Sequence, residues 1–531
     1  MTKNFNDLEA KEFDALIQRV LDAKEHDLAL SSDDCQLLLD ALLTLASMQE
    51  RLSNKDITIS KLRKLTGIVA SSETLTGQIG RSSSASDQKK SRQKKPKTQK
   101  TKLKPEVKYH SLDELSKGSQ CPECEVGKLY KYEPATLLRI AGQSPFVPTQ
   151  HVMERLRCNT CGAYFTAPTP EDILADGMSN QKYGYSARSL MGIYKYYAGS
   201  PFYRQGSLQD LLGVSITAST IFDQTEHLSN ALFPVFKQLL RHAADAKHYY
   251  MDDTTHRILD QKPVMKKQRN GKKERLRSGV YTSGVIATSL GDHRIVLFET
   301  NIGHAGEFID SILSQRDPSR PPPLIMSDAL ASNRPTVVLS KQSLCNSHGR
   351  RQFFDLLSHF TDEVEEVLCL YGQIWVLEDE TIEQQLSLAE RLAYHQKHSL
   401  PIMARIKRWG EEALQNETVE ANSGLGKAIG YFIKHYEGLV SFCKIEGAQL
   451  DNNLMEAQLK LVVRDRKNAM FHKTLSGAAI GDVITSMIAT ANQANINVFD
   501  YFNCLQRENE RVIADPEYYL PWNFQKNLIE S

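Results

Sequence analysis

The sequence contains no run of roughly 18 or more apolar residues, so no helix in it is expected to span a bilayer. Its start, Met1-Thr2-Lys3-Asn4-Phe5-Asn6-Asp7, lacks the apolar stretch of a secretory signal. Net charge is all but missing. The 65 Lys and Arg against 64 Asp and Glu leave +1 at pH 7, so the average sign identifies no partner. Nor is there a disulfide framework. The nine cysteines include two Cys-x-x-Cys pairs and are otherwise scattered, which points to a reducing compartment and one metal site.

What is present is strong local bias. The 531 residues suit several domains rather than one. Residues 1–67 read as helical. Leu38, Leu45, Leu52 and Ile59 recur every seven residues, with Ala41, Met48 and Leu62 between them and Lys55 breaking the second row. The pattern fits a short coiled coil that pairs protomers, or an amphipathic helix packed on its own chain. Residues 68–107 read as a linker. From Gln88 to Lys104 there are nine Lys or Arg and no acid. Such a run buries no core and is expected to be disordered, either as an arm that neutralises phosphates or as a solubilising linker.

Residues 108–170 read as a small zinc-binding domain. Cys121, Cys124, Cys158 and Cys161 form two knuckles across a 33-residue spacer, which is long enough for a small hairpin or loop. Four thiolates make a closed tetrahedral site, so this Zn²⁺ is expected to be structural. Residues 171–245 read as helical, with a helix-turn-helix-like stretch from Ser207 to Ile221. Leu208, Leu211 and Leu212 mark the first helix, Gly213 allows the turn and Ser215 suits the next N-cap. Thr217, Ala218 and Thr220 then face a major groove, unless the pair is an ordinary helical hairpin in a core.

Residues 246–477 carry the chemistry. The run from Lys247 to Met251 is aromatic and apolar and ends in Asp252-Asp253, as a buried strand does when it delivers an acid to a sheet rim. Leu324-Ile325-Met326-Ser327 likewise ends in Asp328, and Glu456 falls in the first turn of a helix opened by Asp451-Asn452-Asn453. Each acid alone has a structural alternative: a turn for the two aspartates, and a capping box with Asn453 for Glu456. A basic segment over 260–279 includes Lys266 and Lys267, and strands are expected over 280–288 and 294–299. A helix over 307–315, a strand over 324–327, a further helix and a strand over 343–346 complete the order. That order fits a ribonuclease-H-like α/β domain, in which the first and fourth strands are adjacent and bring Asp252 beside Asp328. A helical insertion is expected over about 353–445. Residues 478–531 read as a C-terminal helix rich in small residues and a tail. Three converging carboxylates suit two Mg²⁺ (or Mn²⁺) ions and in-line attack on a phosphodiester.

These residues resemble the insertion-sequence transposases of the IS66 family, the large TnpC-like protein of such elements. The resemblance rests on the double Cys-x-x-Cys finger, Pro201-Phe202-Tyr203-Arg204-Gln205 and the first-Asp strand. It continues through Cys345-Asn346-Ser347-His348-Gly349-Arg350-Arg351, then Asp451-Asn452-Asn453, Glu456, Arg466-Lys467-Asn468 and Leu520-Pro521-Trp522-Asn523. It implies a catalytic triad of Asp252, Asp328 and Glu456. It also implies binding of terminal inverted repeats and target DNA, at least a dimer on DNA, accessory proteins of the same element, and a bacterial cytoplasmic, nucleoid-associated location. Three positions depart from the family pattern: Asp253 stands where Glu is usual, Ala457 where Arg is usual, and Asp465 where Gly is usual. Lys460, Arg464 and Lys467 follow Glu456 along one helical stripe suited to DNA phosphates. Arg466 of the motif is expected on DNA as well. His348, Arg350 and Arg351 are expected on a phosphate or in helix capping. Cys345 and His348 have metal-ligand spacing but no partner pair at suitable spacing. The alternatives are a catalytically inactive DNA-binding relic or regulator, and a nuclease without strand transfer.

Purified full-length protein is expected to hold roughly one zinc ion per chain, and the Cys158→Ser/Cys161→Ser variant to lose it together with end-specific DNA binding. Elemental analysis checks this, and a wild-type content below about half an ion per chain overturns the assignment.

Overall fold

In a computed structural model, the described residues are 19–23, 26, 29–37, 117–119, 128, 144–157, 164–267 and 274–524. The heptad-like repeat, the basic run over 88–104 and the four finger cysteines lie outside them. The chain divides into two compact units, 1–91 and 92–531. In the first, Ser31 Oγ accepts the Asp34 N–H at 3.1 Å at the start of a helical turn, and Arg19 pairs with Asp34 at 2.8 Å.

The second unit contains strands β1 (Arg155–Arg157) and β2 (Tyr164–Thr166), antiparallel to one another on either side of the second Cys-x-x-Cys pair. Helices α1 (Glu171–Ala175), α2 (Tyr185–Tyr196), α3 (Phe202–Leu211) and α4 (Ala218–Ala244) follow. Gly213 turns the chain between α3 and α4 at φ +84°, a conformation that glycine adopts without strain. One expectation for this stretch needs correction. Thr217, not Ser215, caps α4 by accepting the Thr220 N–H, while Ser215 binds Asp210. Leu208, Leu211 and Leu212 are exposed, and α3 buries Gln205 and Gln209 instead. The 27-residue helix α4 is a core element, with Ile221, Leu228, Leu232, Val235 and Leu239 fully buried along it. Its exposed N-terminal end keeps Thr217, Ala218 and Thr220 near the surface.

Strand β3 (His248–His256) leads into a hairpin of β4 (Val264–Lys267) and β5 (Glu274–Arg277), then β6 (Val280–Thr288) and β7 (Arg294–Asn301). Helix α5 (Ala305–Leu313) crosses to β8 (Leu324–Ser327) and β9 (Lys341–Leu344). The sheet order is β7-β6-β3-β8-β9, antiparallel across the first three strands and parallel across the last three. The first and fourth expected strands are adjacent, with Tyr250 opposite Met326. The hairpin within the basic segment was not foreseen. No α-helix separates β8 from β9, where only a three-residue turn stands over Ala331–Asn333. The last strand ends at Leu344 because Cys345 already caps helix α6 (Asn346–Phe354).

Alternation along β3 separates two cores. Tyr249 and Met251 join the large cluster with α4 and α5 residues. Tyr250 faces a second cluster of Ile286, Val296, Phe298, Met455 and Leu459. Helices α7 (Thr361–Glu383), α8 (Leu388–Gln415) and α9 (Gly424–Leu439) form the expected helical insertion. The chain then returns through α10 (Asn453–Ala469) and α11 (Leu475–Gln493), and ends the described fold with α12 (Val498–Arg507) and α13 (Asn509–Ala514). Among the described residues no helix is long and apolar enough to cross a membrane.

Helix α11 covers the edge of β7. The N–H groups of Val296, Phe298 and Thr300 donate to Thr490 Oγ1 (3.0 Å), Ser486 Oγ (2.9 Å) and Asp482 Oδ2 (2.7 Å). Four helical residues advance about 6 Å and two strand residues about 6.6 Å, so a stripe of polar side chains matches the free donors of an edge strand. This removes a template for pairing with another chain.

Helix α2 is tied to α10 by one ion pair. Lys195 Nζ lies 2.5 Å from Asp465 Oδ1, with both side chains under 10% exposed, so neither charge has water to fall back on. Asp465 is one of the departures from the family pattern, and Lys195 supplies its counter-charge. Lys195→Met is expected to lower stability by about 3–5 kcal/mol in denaturant melts, and Lys195→Met/Asp465→Leu to recover most of it. A single-variant loss below about 1 kcal/mol overturns this account of the pair.

Candidate active site

Each carboxylate is placed by a local reason. Asp252 sits in β3 opposite Gly284 of β6, on the face shared with Tyr250. Gly284 lets α10 come close, because a Cβ there would stand 2.3 Å from Met455 Cε. Asp328 follows β8 directly, and its Oδ1 accepts the Leu330 N–H (3.1 Å) and the Asn333 amide (2.8 Å). Glu456 stands in the first turn of α10. The expected capping box is not formed: the N-cap is Asn452, without a side-chain cap, and Asn453 Nδ2 bonds Asp451 Oδ2 at 2.7 Å. Glu456 Oε1 is buried and has no hydrogen-bond partner.

The three acids share one electrostatic environment. Burial pushes the Asp252 carboxyl up to about 7, the Asp253 N–H opposes that, and the charges of Asp328, Asp253 and Glu456 push it further. Asp253 points to the other face of the sheet. Its Oδ2 meets His304 Nδ1 at 2.9 Å and the Ala305 N–H at 3.3 Å, at the start of α5. His304 in turn lies against the Tyr281 ring, with centroids 4.1 Å apart. Of the two adjacent acids, Asp252 is the one that faces Asp328 and Glu456, and Asp253 is spent on α5.

Two asparagines hold the frame. Fully buried Asn452 donates its amide to the Met251 carbonyl at 3.0 Å and its N–H to Cys345 Sγ at 3.2 Å. Fully buried Asn346 donates to the Leu439 and Leu450 carbonyls at 2.8 and 3.1 Å. The insertion reaches the same segment through Trp375 Nε1 to Asp451 Oδ2 (3.2 Å) and Arg391 to the Ala448 carbonyl (2.7 Å). Burial pushes the Asp451 carboxyl above its ordinary value. The sequence reading missed these supporting roles. Asn346 and Asn452 stood inside its motifs, but nothing local shows what an amide will reach.

The cations divide. Lys460, Arg464 and Lys467 are exposed along α10, with Arg464 also over the Tyr197 ring at 5.4 Å. Arg466 turns inward to Thr254 Oγ1 (2.9 Å) and the Thr255 carbonyl, so its guanidinium fixes the end of β3 rather than facing a ligand. Lys266 pairs with Glu307, as does Arg277 at 2.5 Å, and Lys267 closes β4 opposite Glu274. Arg350 lies over the Phe354 ring at 5.2 Å, with Arg351 in the same helix. His348 Nδ1 stands 3.7 Å from Glu456 Oε1. Thr217, Ala218 and Thr220 lie at the start of α4, an element that carries none of the three acids.

The arrangement suits a divalent cation, and its cost without one is testable. The folded Asp252 value of about 7 exceeds its ordinary 3.8. The native state therefore binds more protons between those values, and stability falls as pH rises through that window. Asp482, pushed up to about 7 by burial, shifts in the same direction, so the variant Asp252→Asn isolates the site. The expected result is a larger Mg²⁺-induced rise in Tm at pH 8 than at pH 5, abolished in Asp252→Asn. Equal rises at both pH values overturn the assignment.

Comparisons with known proteins give relatives and a family. Uncharacterized protein y4hP of Sinorhizobium fredii is 23% identical over 434 residues, covering 76% of this chain and 73% of that protein. Two others from the same organism are also similar. Protein y4qI is 21% identical over 68% of this chain and 66% of its own length. Protein y4jD is 28% identical, over 35% of this chain and 37% of its own length. Residues 182–480 match the model of the Transposase IS66 family, a span that contains β3, β8, α10 and all three acids. That span exceeds half of the sequence, and the chain belongs to the Transposase IS66 family.

Proposed function

We propose that the chain is an Asp-Asp-Glu DNA transposase, which cuts the ends of its insertion element and joins them to target DNA. The observation that carries this reading is the electrostatic coupling of Asp252, within β3, to Asp328 after β8 and Glu456 in the first turn of α10, with Asp252 pushed up to about 7 by burial and by its acidic neighbours. Uncompensated acids in that setting, with the Glu456 Oε1 orphaned, fit a cation-binding role. The mixed sheet with its adjacent parallel pair supports a ribonuclease-H-like catalytic domain.

Asp252, Asp328 and Glu456 would hold two Mg²⁺ or Mn²⁺ ions. When bound, such ions activate the attacking oxygen and stabilise the leaving one. The remaining work belongs to the chain. Asn452 keeps the first turn of α10 against Met251, and so keeps Glu456 level with Asp252. Lys460, Arg464 and Lys467 hold backbone phosphates along α10 beside the acids. Arg466 keeps the end of β3 in place through Thr254 and Thr255. Asp253 and His304 fix α5 on the opposite face. Terminal inverted repeats, target DNA, an assembly of at least two copies and accessory proteins of the same element complete the reading. The zinc site of the finger cysteines and the basic arm over 88–104 belong to end binding. The site of action is the bacterial nucleoid.

Glu456→Gln and Lys467→Ala test it on duplexes of the element's ends. Glu456→Gln removes a ligand charge with little volume, and is expected to cut Mg²⁺-dependent cleavage by at least about a hundredfold while sparing end binding. Lys467→Ala is expected to weaken both, with partial recovery at low salt. Wild-type cleavage by Glu456→Gln overturns the assignment of the third acid. End binding without any cleavage by the wild-type chain favours a DNA-binding regulator, which the departures at Ala457 and Asp465 motivate. Cleavage without joining favours a nuclease.

A further inference from the structure

Next to the three acids lies a group with a different ligand chemistry. Cys345, His348 and Glu456 each offer one ligand atom, and these atoms all lie within 4.8 Å of one another. We propose that Cys345, His348 and Glu456 form a second cation site, selective for a borderline transition ion such as Zn²⁺, and that an ion there withdraws Glu456 from the carboxylate site and stops cleavage. Occupancy follows from the cluster alone. The inhibitory half rests on the functional reading above.

Local geometry assembles the site. Cys345 caps α6 and His348 follows three residues later, so their side chains share one face of the first turn. Helix α10 brings Glu456 across from them. His348 Nδ1 and Glu456 Oε1 are both buried atoms without a hydrogen-bond partner, and at 3.7 Å they do not satisfy one another. A cation between them satisfies both.

Ligand type decides the ion. Mg²⁺ takes oxygen ligands, whereas thiolate, imidazole and carboxylate together suit Zn²⁺. Tetrahedral bonds of roughly 2.0–2.3 Å place ligand atoms about 3.3–3.8 Å apart, so small side-chain rotations close the cluster. The N–H groups of Asn452 and His348 donate to Cys345 Sγ and favour its thiolate, against the burial that pushes the thiol up to about 12. Without an ion the thiol is neutral, and its proton leaves for solvent as the ion binds. The His348 and Glu456 side chains are 25% and 27% exposed, which leaves an entry path and room for a water as fourth ligand. One carboxylate cannot complete both sites at once, and this makes the transition ion an antagonist of the Mg²⁺-loaded state.

The test uses full-length protein purified with zinc, stripped of loosely held ions and titrated with Co²⁺ in excess Mg²⁺. One further equivalent of Co²⁺ per chain is expected to raise a thiolate-to-cobalt charge-transfer band in the near ultraviolet. Cys345→Ser is expected to lose that band, and His348→Gln, which keeps the thiol, to bind Co²⁺ at least about tenfold more weakly. An equal band in wild type and Cys345→Ser overturns the site, because the sulfur then comes from other cysteines. Should Cys345→Ser fail to fold, an unchanged Co²⁺ affinity of His348→Gln overturns it instead. In the second arm, micromolar Zn²⁺ is added to the Mg²⁺-dependent cleavage reaction, and each protein is scored against its own rate without Zn²⁺. Wild type is expected to stop reversibly, and His348→Gln to need at least about tenfold more Zn²⁺. Equal sensitivity overturns the inhibitory half. A normal Co²⁺ band in a chain that never cleaves DNA upholds the site and overturns the functional reading.

Discussion

The arrangement of the three acids depends on how Asn452 is held. This fully buried residue bonds backward to Cys345 and across to the carbonyl of Met251, the residue before Asp252. Both bonds lie in a core where an unmade one costs about 1–3 kcal/mol, so the first turn of α10 has one permitted position. Glu456 is in that turn. The insertion of α7, α8 and α9 stands between Asp328 and Glu456, and Asn346, Trp375 and Arg391 tie its ends down beside the same segment. A long insertion between two members of one site is tolerable only because these bonds erase its positional freedom.

The rest of the unit offsets polar burial in the same way. The donors of β7 are met by a stripe on α11, and buried Asp465 is met by Lys195. Asp252 has no such counter-charge. Burial and mutual repulsion raise the Asp252 carboxyl, and no basic side chain forms an ion pair with it among the described residues. A divalent ion held by Asp252, Asp328 and Glu456 would relieve that repulsion. His348 beside Glu456 offers a second, softer way of relieving it, and this is the physical basis for competition between two kinds of ion.

Much of the α/β unit was legible in the sequence. The ends of β6 and β8 fall where they were read, but β3 runs on to His256, so Asp252 lies within the strand rather than at its end. These features are written in periods of two or 3.6 residues and need no distant partner. The helix-turn-helix-like stretch was less legible. Its turn at Gly213 was read from a local signal, but Leu208, Leu211 and Leu212 point to solvent, because apolar spacing says which residues share a face and not what that face meets.

By itself the sequence determined the family, the bounds of β6 and β8 and the acid that follows β8, because each is carried by short motifs or local periodicity. Tertiary structure alone decided the partners. It turned Asp253 away to His304, and it set Arg466 on β3 while its neighbours stayed exposed. It gave Asp465 the counter-charge of Lys195, and it supplied Glu456 as the third atom that Cys345 and His348 lacked. Each of these pairings joins residues whose separation in the chain carries no signal. They exist only once loop closure and two packed cores have fixed where α10 lies on the sheet.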